Sequence, residues 1–380
     1  MPDNLTKADY DLVIIGAGIN GAAIASEASK DKLRVLLLEQ FDRPAQGTSS
    51  KSSKLIHGGL RYLEHFELGL VYECLSDRKR LLKKYPGLVK LKKFYIPVYQ
   101  STTRSSMLIR TGLSLYALLG GLIKSSRFKR LSRSQWDTLD GLKTSELKNV
   151  FHYFDAQTDD AKLTTRLLEE ATTAGASIQY DSELINCHIN ETDVQICYQK
   201  DNASHKVSAG LVINAAGPWV NHIVQRCQPA FDPVEIDLVS GTHIEIPGKL
   251  NKGIFYLEAP QDQRAVFAMP WKGHILLGTT ERIYEGDPGK VKPSDDEINY
   301  LLEVYLHYFP DAQISKKDIL ASWAGLRVLP KNKANPFKRS RETIFHKNNH
   351  ENPRVISIYG GKLTSHYSTA RKLLKLISQV

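Results

Sequence analysis

The chain begins with a strand, a glycine-rich turn, a helix and a second strand, and this order constrains the fold more than any other feature. An apolar strand is predicted at Tyr10–Ile15, and the turn Gly16-Ala-Gly-Ile-Asn-Gly21 follows it directly. An alanine-rich stretch, 22–30, predicts a helix, and an apolar stretch, 34–38, predicts a second strand that ends at Glu39. A GxGxxG turn in this setting is typical of a βαβ unit that binds a dinucleotide.

Each part of this turn has a physical role in such a unit. Gly16 permits the tight turn, Gly18 lets the backbone approach a pyrophosphate, and Gly21 lets helix and strand pack closely. The helix N-terminus offers N–H groups and positive dipole to the diphosphate, and Glu39 can accept hydrogen bonds from ribose hydroxyls. The alternative is a glycine-rich turn in another kind of α/β protein, and the motif alone does not separate FAD from NAD.

The rest of the chain alternates helix-forming and strand-rich segments. A helix is predicted from Asp159, as its N-cap, to Ala174, with Gly175 as its stop. Residues 235–280 are rich in strand patterns, and helices are predicted over 294–308 and 363–377. The sequence therefore predicts an α/β fold in which a Rossmann-like dinucleotide-binding domain is discontinuous (1–80, 150–220 and 320–380) and a β-rich substrate-binding domain is inserted into it (81–149 and 221–319).

Charge and cysteine content narrow the classes of partner and compartment. The chain has 51 Lys and Arg residues against 41 Asp and Glu, and this net charge of +10 suits an anionic partner: a phosphorylated substrate, an acidic membrane surface or a nucleic acid. Its four cysteines are scattered without ligand-like spacing, so we expect thiols in a reducing compartment and no metal site. The polar first ten residues and the absence of a run of 18 apolar residues predict no secretory leader and no transmembrane span, and hence a cytoplasmic protein.

Several unusual strings along the chain resemble one family, the FAD-dependent (aerobic, respiratory) glycerol-3-phosphate dehydrogenases of the D-amino-acid-oxidase-like flavoprotein superfamily. The strings occur in the family's order and span nearly the whole chain. They are Gly47-Thr-Ser-Ser-Lys-Ser-Ser-Lys54, Leu55-Ile-His-Gly-Gly-Leu-Arg-Tyr62, Ala215-Ala-Gly-Pro-Trp219, Gly241-Thr-His-Ile244, Gly278-Thr-Thr280, Gly286-Asp-Pro288, Glu297-Ile-Asn-Tyr-Leu-Leu302, Ala324-Gly-Leu-Arg327 and Gly360-Gly-Lys-Leu-Thr364.

The resemblance implies FAD as the cofactor and carries the family's binding positions onto this sequence. The residues implied to hold the cofactor are Gly16, Gly18, Asn20, Gly21 and Glu39 at its ADP half, Thr48, Ser49, Ser53 and Leu55 on the flavin side, Gly217 where the chain returns to the cofactor, and Gly361, Lys362, Leu363 and Thr364 at the start of the last helix. A helix N-terminus there would stabilise negative charge on a reduced flavin.

The reaction implied is the oxidation of sn-glycerol 3-phosphate to dihydroxyacetone phosphate, with a hydride passed to flavin N5 and electrons passed on to a quinone. Arg61 and Lys362 are expected to bind the phosphate, with Tyr62 adding a hydroxyl. Arg327 is expected to stabilise the charge that develops on the substrate oxygen. His243 is the preferred base and His57 the second candidate.

Two departures from the family pattern leave alternatives open. The usual Thr-Thr-Asp reads Thr279-Thr-Glu281 here, which is expected to shift local hydrogen bonds. Family members typically carry a further helical C-terminal domain, whereas this sequence stops at Val380, so an oligomer contact or a pocket cover is expected to differ. The alternatives are a related enzyme that acts on another 2-hydroxy or 2-amino acid, and an FAD-binding protein without catalysis.

A basic segment surrounds a weakly apolar stretch, 107–123. One interpretation is a peripheral contact with the inner face of the cytoplasmic membrane, where cations meet anionic lipid and the apolar face approaches the quinone pool. The other is a solvated basic face over an ordinary helix. Nucleic acid is not expected as a partner, because no recognition motif accompanies the charge. The cations are Lys83, Lys84, Lys90, Lys92, Lys93, Arg104, Arg110, Lys124, Arg127, Lys129, Arg130 and Arg133.

Overall fold

Two β-sheets, A and B, and seven α-helices make up the part of the chain that the structure, a computed structural model, describes: residues 8–331 and 343–379. The predicted domain limits at residues 1 and 380, and most of the polar start of the chain, lie outside these residues. The helices are α1 (Ile19–Lys30), α2 (Leu68–Lys84), α3 (Ser106–Leu119), α4 (Asp160–Thr173), α5 (Val220–Gln225), α6 (Asp295–Tyr308) and α7 (His366–Ile377).

The strands are distributed along the whole described chain. They are β1 (Tyr10–Ile15), β2 (Val35–Leu38), β3 (Leu55–Ile56), β4 (Val89–Tyr99), β5 (Lys129–Arg130), β6 (Leu147–Thr158), β7 (Ser177–Gln179), β8 (Glu183–Ile189), β9 (Val194–Lys200), β10 (Ala203–Asn214), β11 (Cys227–Gln228), β12 (Ile236–Ile246), β13 (Ile254–Glu258), β14 (Ala265–Trp271), β15 (His274–Gly278), β16 (Arg282–Tyr284), β17 (Ala321–Pro330), β18 (Ile344–Lys347) and β19 (Val355–Tyr359).

Sheet A carries the glycine-rich turn. Its strand order is β11-β8-β9-β10-β1-β2-β7, and β19 pairs with both β10 and β18. β1 is parallel to both of its neighbours, with Ile14 opposite Ile213 of β10 and Leu37 of β2. A parallel strand that is covered on both faces needs apolar side chains on both faces, and residues 12–15 are all buried. The predicted first two strands are confirmed.

Helix α1 leaves the turn and packs between sheet A and helices α4 and α7. Its alanines at 22, 23, 25 and 28 are buried, and such small side chains allow the helix to lie close to its neighbours. Helix α4 begins as predicted, because the Asp159 carboxylate accepts a hydrogen bond from the Lys162 backbone N–H at 3.2 Å. Gly175 follows its end at a φ of 102°, which a glycine adopts without strain.

Sheet B has the strand order β16-β12-β15-β14-β13-β4-β6-β3, with β17 paired to β12 and β5 to β6. Strands β12 and β17 are antiparallel over ten residue pairs, from Ile236 opposite Pro330 to Glu245 opposite Ala321. Helix α6 covers the sheet and begins with a capping box between Ser294 and Glu297. The β-rich middle and the helix predicted over 294–308 are confirmed.

The two sheets confirm the predicted mixed α/β class. They also show which sheet contains each segment of the chain. Strands β6 and β17 lie in sheet B, although the sequence assigned 150–158 and 321–330 to the dinucleotide-binding domain. We keep the division into two domains as a proposal, with β6 and β17 moved to the substrate-binding part.

The described residues contain no helix that is both long enough and apolar enough to cross a membrane. Within the same residues, no group of three or more His, Cys, Asp or Glu side chains is placed to hold a metal ion. Cys74, Cys187 and Cys227 are buried, and the Cys187 thiol lies 2.6 Å from the Cys227 thiol across neighbouring strands.

Candidate active site

A cleft runs along the carboxyl ends of the parallel strands of sheet A. It contains about 1380 Å³ of space outside protein atoms, its open mouth included. Its lining runs from the glycine-rich turn to the turn before α7, and such an elongated lining suits an extended ligand. The lining includes Gly16, Gly18, Ile19, Asn20, Glu39, Phe41, Thr48, Ser49, Ala215, Gly217, Trp219, Arg327, Gly360, Gly361, Lys362 and Leu363.

The glycines of the turn are required by close contacts. Gly16 has a φ of 104°, and a Cβ there would lie 2.9 Å from the Ala215 carbonyl oxygen. A Cβ on Gly21 would lie 2.0 Å from the Gly16 carbonyl oxygen, so any side chain would force α1 away from β1. The glycines therefore place no side chain between the backbone of the turn and the cleft, as the close approach of a diphosphate requires.

Glu39 and Ser49 hold the two sides of the turn. The Glu39 carboxylate accepts hydrogen bonds from the backbone N–H groups of Ala17 at 2.6 Å and Phe41 at 3.1 Å. Burial raises the pKa of Glu39, and these backbone donors oppose the shift. Each carboxylate oxygen keeps a second lone pair for a ribose hydroxyl. The Ser49 hydroxyl accepts from the Ile19 N–H at 2.8 Å, at the start of α1.

Asn20 joins the first turn of α1 to the Gly-Gly turn before α7. Its amide Nδ2 lies 3.4 Å from the Gly360 carbonyl oxygen, and a Cβ on Gly361 would lie 2.6 Å from the same Nδ2. Its Oδ1 is buried without a hydrogen-bond partner in the described part of the protein. A buried acceptor that borders the cleft is expected to meet a ligand donor.

The serine-rich loop 47–54 is fixed by a buried ion pair. The Lys54 ammonium lies 2.7 Å from the Asp160 carboxylate, and both side chains are almost fully buried. The other Asp160 oxygen accepts from the Ser52 N–H at 3.1 Å and from the Ser52 hydroxyl at 2.6 Å. The Thr48 hydroxyl donates to the Leu326 carbonyl oxygen at 2.5 Å. The loop is therefore tied both to the start of α4 and to β17.

His243 lies in the interior of sheet B beside this loop. Its Nε2 is 2.9 Å from the Ser53 hydroxyl, and its ring stacks on Trp323 at 5.8 Å between centroids. A Cβ on the opposing Gly278 would lie 2.0 Å from the His243 ring. Burial lowers the pKa of His243 to about 3, and the charges of Arg327 and Lys54 add to the effect. This histidine is therefore neutral in the physiological range.

Arg327 projects from β17 and is paired with the residue that departs from the family pattern. Its guanidinium donates to the Glu281 carboxylate at 2.8 Å and to the Thr279 hydroxyl at 3.3 Å. Thr279 and Glu281 are both members of the Thr-Thr-Glu string. The longer glutamate thus reaches the arginine and orients it at the edge of the cleft.

A second cluster forms where the turn after β3 meets the turn before α7. The Lys362 ammonium lies 4.5 Å from the centroid of the Tyr62 ring, and the ring of His57 lies 6.5 Å from the same ring. The His57 backbone N–H donates to the Thr364 hydroxyl at 3.1 Å. Burial lowers the pKa of His57; Asp155 opposes this shift, whereas Lys362 and Arg61 add to it.

The sequence-predicted catalytic and substrate-binding residues thus fall into two groups, and neither His57 nor His243 is among the residues that line the cleft. His57, Tyr62, Lys362 and Thr364 form the first group, and His243, Ser53 and Arg327 are close to one another in the second. Lys362 and Arg327 both line the cleft. The Leu55 side chain is buried in the core of sheet B, and its place beside the flavin stays a prediction.

Some of the residues that organise the site were not singled out in the sequence. Asp160 and Asp155 are almost fully buried carboxylates. The apolar string Val150-Phe-His-Tyr-Phe immediately before Asp155 was the available signal, because a carboxylate inside a buried strand needs a partner.

The chain is similar in sequence to a family of flavin enzymes over most of its length. The profile of the family described as FAD dependent oxidoreductase matches residues 11–367. A glycerol-3-phosphate dehydrogenase of Pseudomonas aeruginosa is 38% identical over 372 residues, which cover 96% of this chain and 71% of that protein. An aerobic glycerol-3-phosphate dehydrogenase of Staphylococcus aureus is 33% identical over 384 residues, which cover 99% of this chain and 68% of that protein.

The chain belongs to this family of FAD-dependent oxidoreductases. Its cofactor is FAD. The glycerol-3-phosphate dehydrogenase of Bacillus halodurans, complexed with FAD, matches with a TM-score of 0.77 and 25% identity, over 99% of this chain and 65% of that chain. The L-α-glycerophosphate oxidase of Mycoplasma pneumoniae, with FAD bound, shares the fold at a TM-score of 0.79 and 19% identity, over 97% of this chain and 94% of that chain.

The donor set of the cleft fits FAD. The bare glycine turn and the start of α1 suit a diphosphate, Glu39 suits a ribose, and the buried Asn20 Oδ1 offers an acceptor at the cleft wall. The chain spans 71% of the length of the Pseudomonas dehydrogenase, 68% of the Staphylococcus dehydrogenase and 65% of the Bacillus dehydrogenase.

Proposed function

We propose that this flavoprotein oxidises sn-glycerol 3-phosphate at C2 to dihydroxyacetone phosphate. One observation carries the proposal: the cleft that begins at the glycine-rich turn also contains two cations, Arg327 and Lys362. A site that combines a dinucleotide cleft with fixed cations suits a small anionic substrate. The names of the dehydrogenases that resemble the chain support the same substrate.

The first group of residues would bind the phosphate. Lys362 is a point charge that can reach a phosphate oxygen, and Arg61 can supply a bidentate fork from the same turn as Tyr62. The Tyr62 hydroxyl would add a neutral donor. The contact between Lys362 and the Tyr62 ring holds the ammonium in place before the substrate arrives.

Arg327 would stabilise the substrate oxygen as negative charge develops on it. Its pairing with Glu281 and Thr279 fixes the direction of the guanidinium, so little reorganisation is needed during the reaction. When bound, FAD supplies the acceptor for the hydrogen and the two electrons that leave C2.

For the base we propose His57 rather than His243, which reverses the preference drawn from the sequence. His243 Nε2 is within hydrogen-bond distance of Ser53, and its pKa of about 3 makes it a weak proton acceptor. His57 is partly exposed and lies beside the cations that would hold the phosphate. A neutral imidazole at that place can take the proton of the C2 hydroxyl.

The test is an anaerobic titration of the flavin. The purified protein with FAD is mixed with sn-glycerol 3-phosphate, and bleaching of the visible flavin band is followed by stopped flow. Rapid bleaching is the expected result. Glycerol serves as the matched control without phosphate and should bleach the flavin far more slowly.

Two other outcomes distinguish the alternatives. Bleaching by a 2-hydroxy or 2-amino acid but not by glycerol 3-phosphate would contradict the substrate and assign a related oxidation. A bound flavin that stays oxidised with every donor would contradict catalysis and leave an FAD-binding protein.

We further propose that the surface around α3 contacts an anionic membrane and that a quinone takes the electrons. Phe66 is 85% exposed and Met107 is 80% exposed, and Tyr72 of α2 and Leu118 of α3 are also exposed, on two helices that pack together. Arg110, Lys124, Arg127 and Lys129, on α3 and in the residues that follow it, are exposed cations. Apolar side chains flanked by cations suit an interface with anionic lipid.

One predicted cation does not contribute to this surface. Arg104 is largely buried, and its guanidinium pairs with Glu64 at 2.6 Å and with Glu258 at 2.8 Å. Its charge is therefore offset by two carboxylates.

Vesicle flotation tests the membrane contact. The protein is expected to float with phosphatidylglycerol vesicles, and the double variant Met107→Asp/Leu118→Asp should lose this binding, because each Asp places a charge in the apolar surface. Leu320→Asp, which changes another exposed leucine, is the matched control. Equal flotation of the two variants would contradict the proposal.

The acceptor is tested after reduction of the flavin by substrate. A short-chain quinone is expected to restore the oxidised spectrum faster than dissolved oxygen does. Faster reoxidation by oxygen would assign an oxidase instead.

A further inference from the structure

A cluster of buried polar side chains lies behind the His57 turn. Asp155 comes from β6, Arg78 from α2 and Tyr116 from α3, and each is 3% exposed or less. Burying three such groups is unfavourable unless they satisfy one another. Their contacts show that they do so, and that they also reach the backbone next to His57.

Asp155 is the centre of this cluster. Its carboxylate accepts the Tyr116 hydroxyl proton, at 2.7 Å from one oxygen and 2.9 Å from the other, and it pairs with the Arg78 guanidinium. Arg78 also donates to the Phe154 carbonyl oxygen at 2.6 Å and to the Ser125 carbonyl oxygen at 3.2 Å. Burial and the neighbouring Asp155 raise the pKa of Tyr116 well above its usual range, so its hydroxyl stays protonated and donates.

The cluster holds the amide that follows His57. The Gly58 N–H donates to the Tyr116 hydroxyl at 2.8 Å and lies 3.3 Å from the Asp155 carboxylate. A Cβ on Gly58 would lie 2.4 Å from the Tyr116 oxygen and 2.5 Å from Leu75, so the backbone is pressed against the cluster.

The other side of His57 is held by the last turn of the cleft. Thr364 accepts from the His57 N–H at 3.1 Å and lies 3.3 Å from the His57 carbonyl oxygen. The peptide group before the histidine is therefore fixed by Thr364, and the peptide group after it by Thr364 together with Tyr116 and Asp155.

We infer that Tyr116 and Asp155, supported by Arg78, are positioning residues for the His57 turn. They fix the direction in which the His57 ring points. They also fix the direction in which the chain continues to Arg61 and Tyr62. This inference rests on the proposed function, because it gives His57 the part of the base. Neither Tyr116 nor Asp155 lines the cleft, so both act through the turn rather than on the substrate.

Asp155 has a second effect that Tyr116 does not share. The charged groups that face His57 are Asp155 from β6, Arg78 from α2, Arg61 from the turn after β3 and Lys362 from the turn before α7. Asp155 favours the protonated imidazole, and the three cations disfavour it.

The experiment compares Tyr116→Phe and Asp155→Asn with the wild-type flavoprotein. Tyr308→Phe is the matched control, since it removes a buried tyrosine hydroxyl that donates to the Glu258 carbonyl oxygen at 2.6 Å, away from His57. Two quantities are measured: the rate of flavin reduction at saturating glycerol 3-phosphate across pH 5 to 9, and amide hydrogen exchange of the segment 55–63. FAD content is determined for every variant.

Tyr116→Phe is expected to retain FAD, to speed exchange at the Gly58 amide and to slow flavin reduction roughly 10- to 100-fold, because a small misplacement of a base is costly. The pH at which the rate of flavin reduction is half-maximal should not change in this variant. Asp155→Asn should slow reduction and also move that pH downward, because a negative charge facing His57 is lost.

Wild-type exchange and wild-type reduction rates in Tyr116→Phe would overturn the inference, as would an equal loss in Tyr308→Phe. If Asp155→Asn does not fold, Tyr116→Phe alone carries the test. If the wild-type flavin is not reduced by glycerol 3-phosphate, the proposed function fails instead, and exchange at Gly58 still decides whether Tyr116 holds the turn.

Discussion

The two histidines of the candidate site occupy contrasting surroundings. His243 is enclosed within sheet B, hydrogen-bonded to Ser53 and stacked on Trp323, whereas His57 sits in a turn between the two sheets and is partly exposed. Burial is the main cause that lowers the pKa of both rings, and neighbouring cations add to the shift at both; at His57 the Asp155 carboxylate opposes it.

The contrast separates a structural role from a chemical one. A base needs access to the proton it takes, and the partly exposed His57 meets this requirement better than the buried His243. His243 instead connects the serine-rich loop to the strands that carry Arg327.

The largest effect is expected for His57→Gln. Loss of the base should slow flavin reduction by glycerol 3-phosphate roughly 10²- to 10⁴-fold, while the bound FAD spectrum is retained. Stopped-flow reduction of this variant is compared with that of His243→Gln and of His152→Gln, a partly buried histidine on β6. A larger loss of the chemical rate in His243→Gln would restore the assignment made from the sequence.

Lys362→Met is expected to weaken binding rather than chemistry. A charge-assisted hydrogen bond to a phosphate contributes about 1.5–3 kcal/mol, so KM for glycerol 3-phosphate should rise roughly 10- to 100-fold. The slow reduction by unphosphorylated glycerol should not change. Lys372→Met, which removes an exposed lysine paired with Glu73, is the control and should leave KM as it is. An unchanged KM in Lys362→Met would remove this residue from the phosphate site.

The pH dependence of catalysis should report His57. The second-order rate constant for flavin reduction is expected to fall about tenfold per pH unit once the pH drops below the pKa of His57, because only the neutral imidazole accepts a proton. Burial places that pKa below the ordinary value of 6.5. The midpoint should therefore lie on the acid side of 6.5, and His243→Gln should leave it in place. A midpoint above 6.5 would contradict this placement.

A smaller effect on stability should report His243. Between pH 6.5 and about 3, the unfolded chain carries a proton at this histidine that the folded protein does not, so folding is disfavoured as the pH falls through this window. The loss is at most about 1.4 kcal/mol per pH unit from this group. Thermal unfolding of His243→Gln should accordingly depend less on pH between 6 and 4. An unchanged slope would show that His243 is not held neutral.

Much of the nucleotide-binding half was predictable because its signals are local. The strand β1, the glycine turn and Glu39 follow one another within thirty residues, and glycine spacing dictates how closely the backbone segments approach. The start of α4 at Asp159 was likewise predicted, since an N-cap is a short-range feature.

The side chains that contact and orient the site residues were not predictable in the same way. Glu281 reaches Arg327 only because β17 pairs with β12, and Asp155 meets Arg78 and Tyr116 only when β6, α2 and α3 pack together. Such contacts depend on register between distant strands, which a single sequence does not state. For the same reason the pairing of β6 and β17 within sheet B is not readable from the sequence.

The strand order of sheet A has a consequence for how the protein is made. β1 pairs with β10, about 200 residues later, and β10 pairs in turn with β19. Contacts of such long range form slowly and only after the intervening chain has been synthesised. The cleft wall needs Gly16, Gly217 and Leu363 at once. FAD therefore cannot be enclosed by a nascent chain that has not reached Leu363, and cofactor loading must be among the last events of folding.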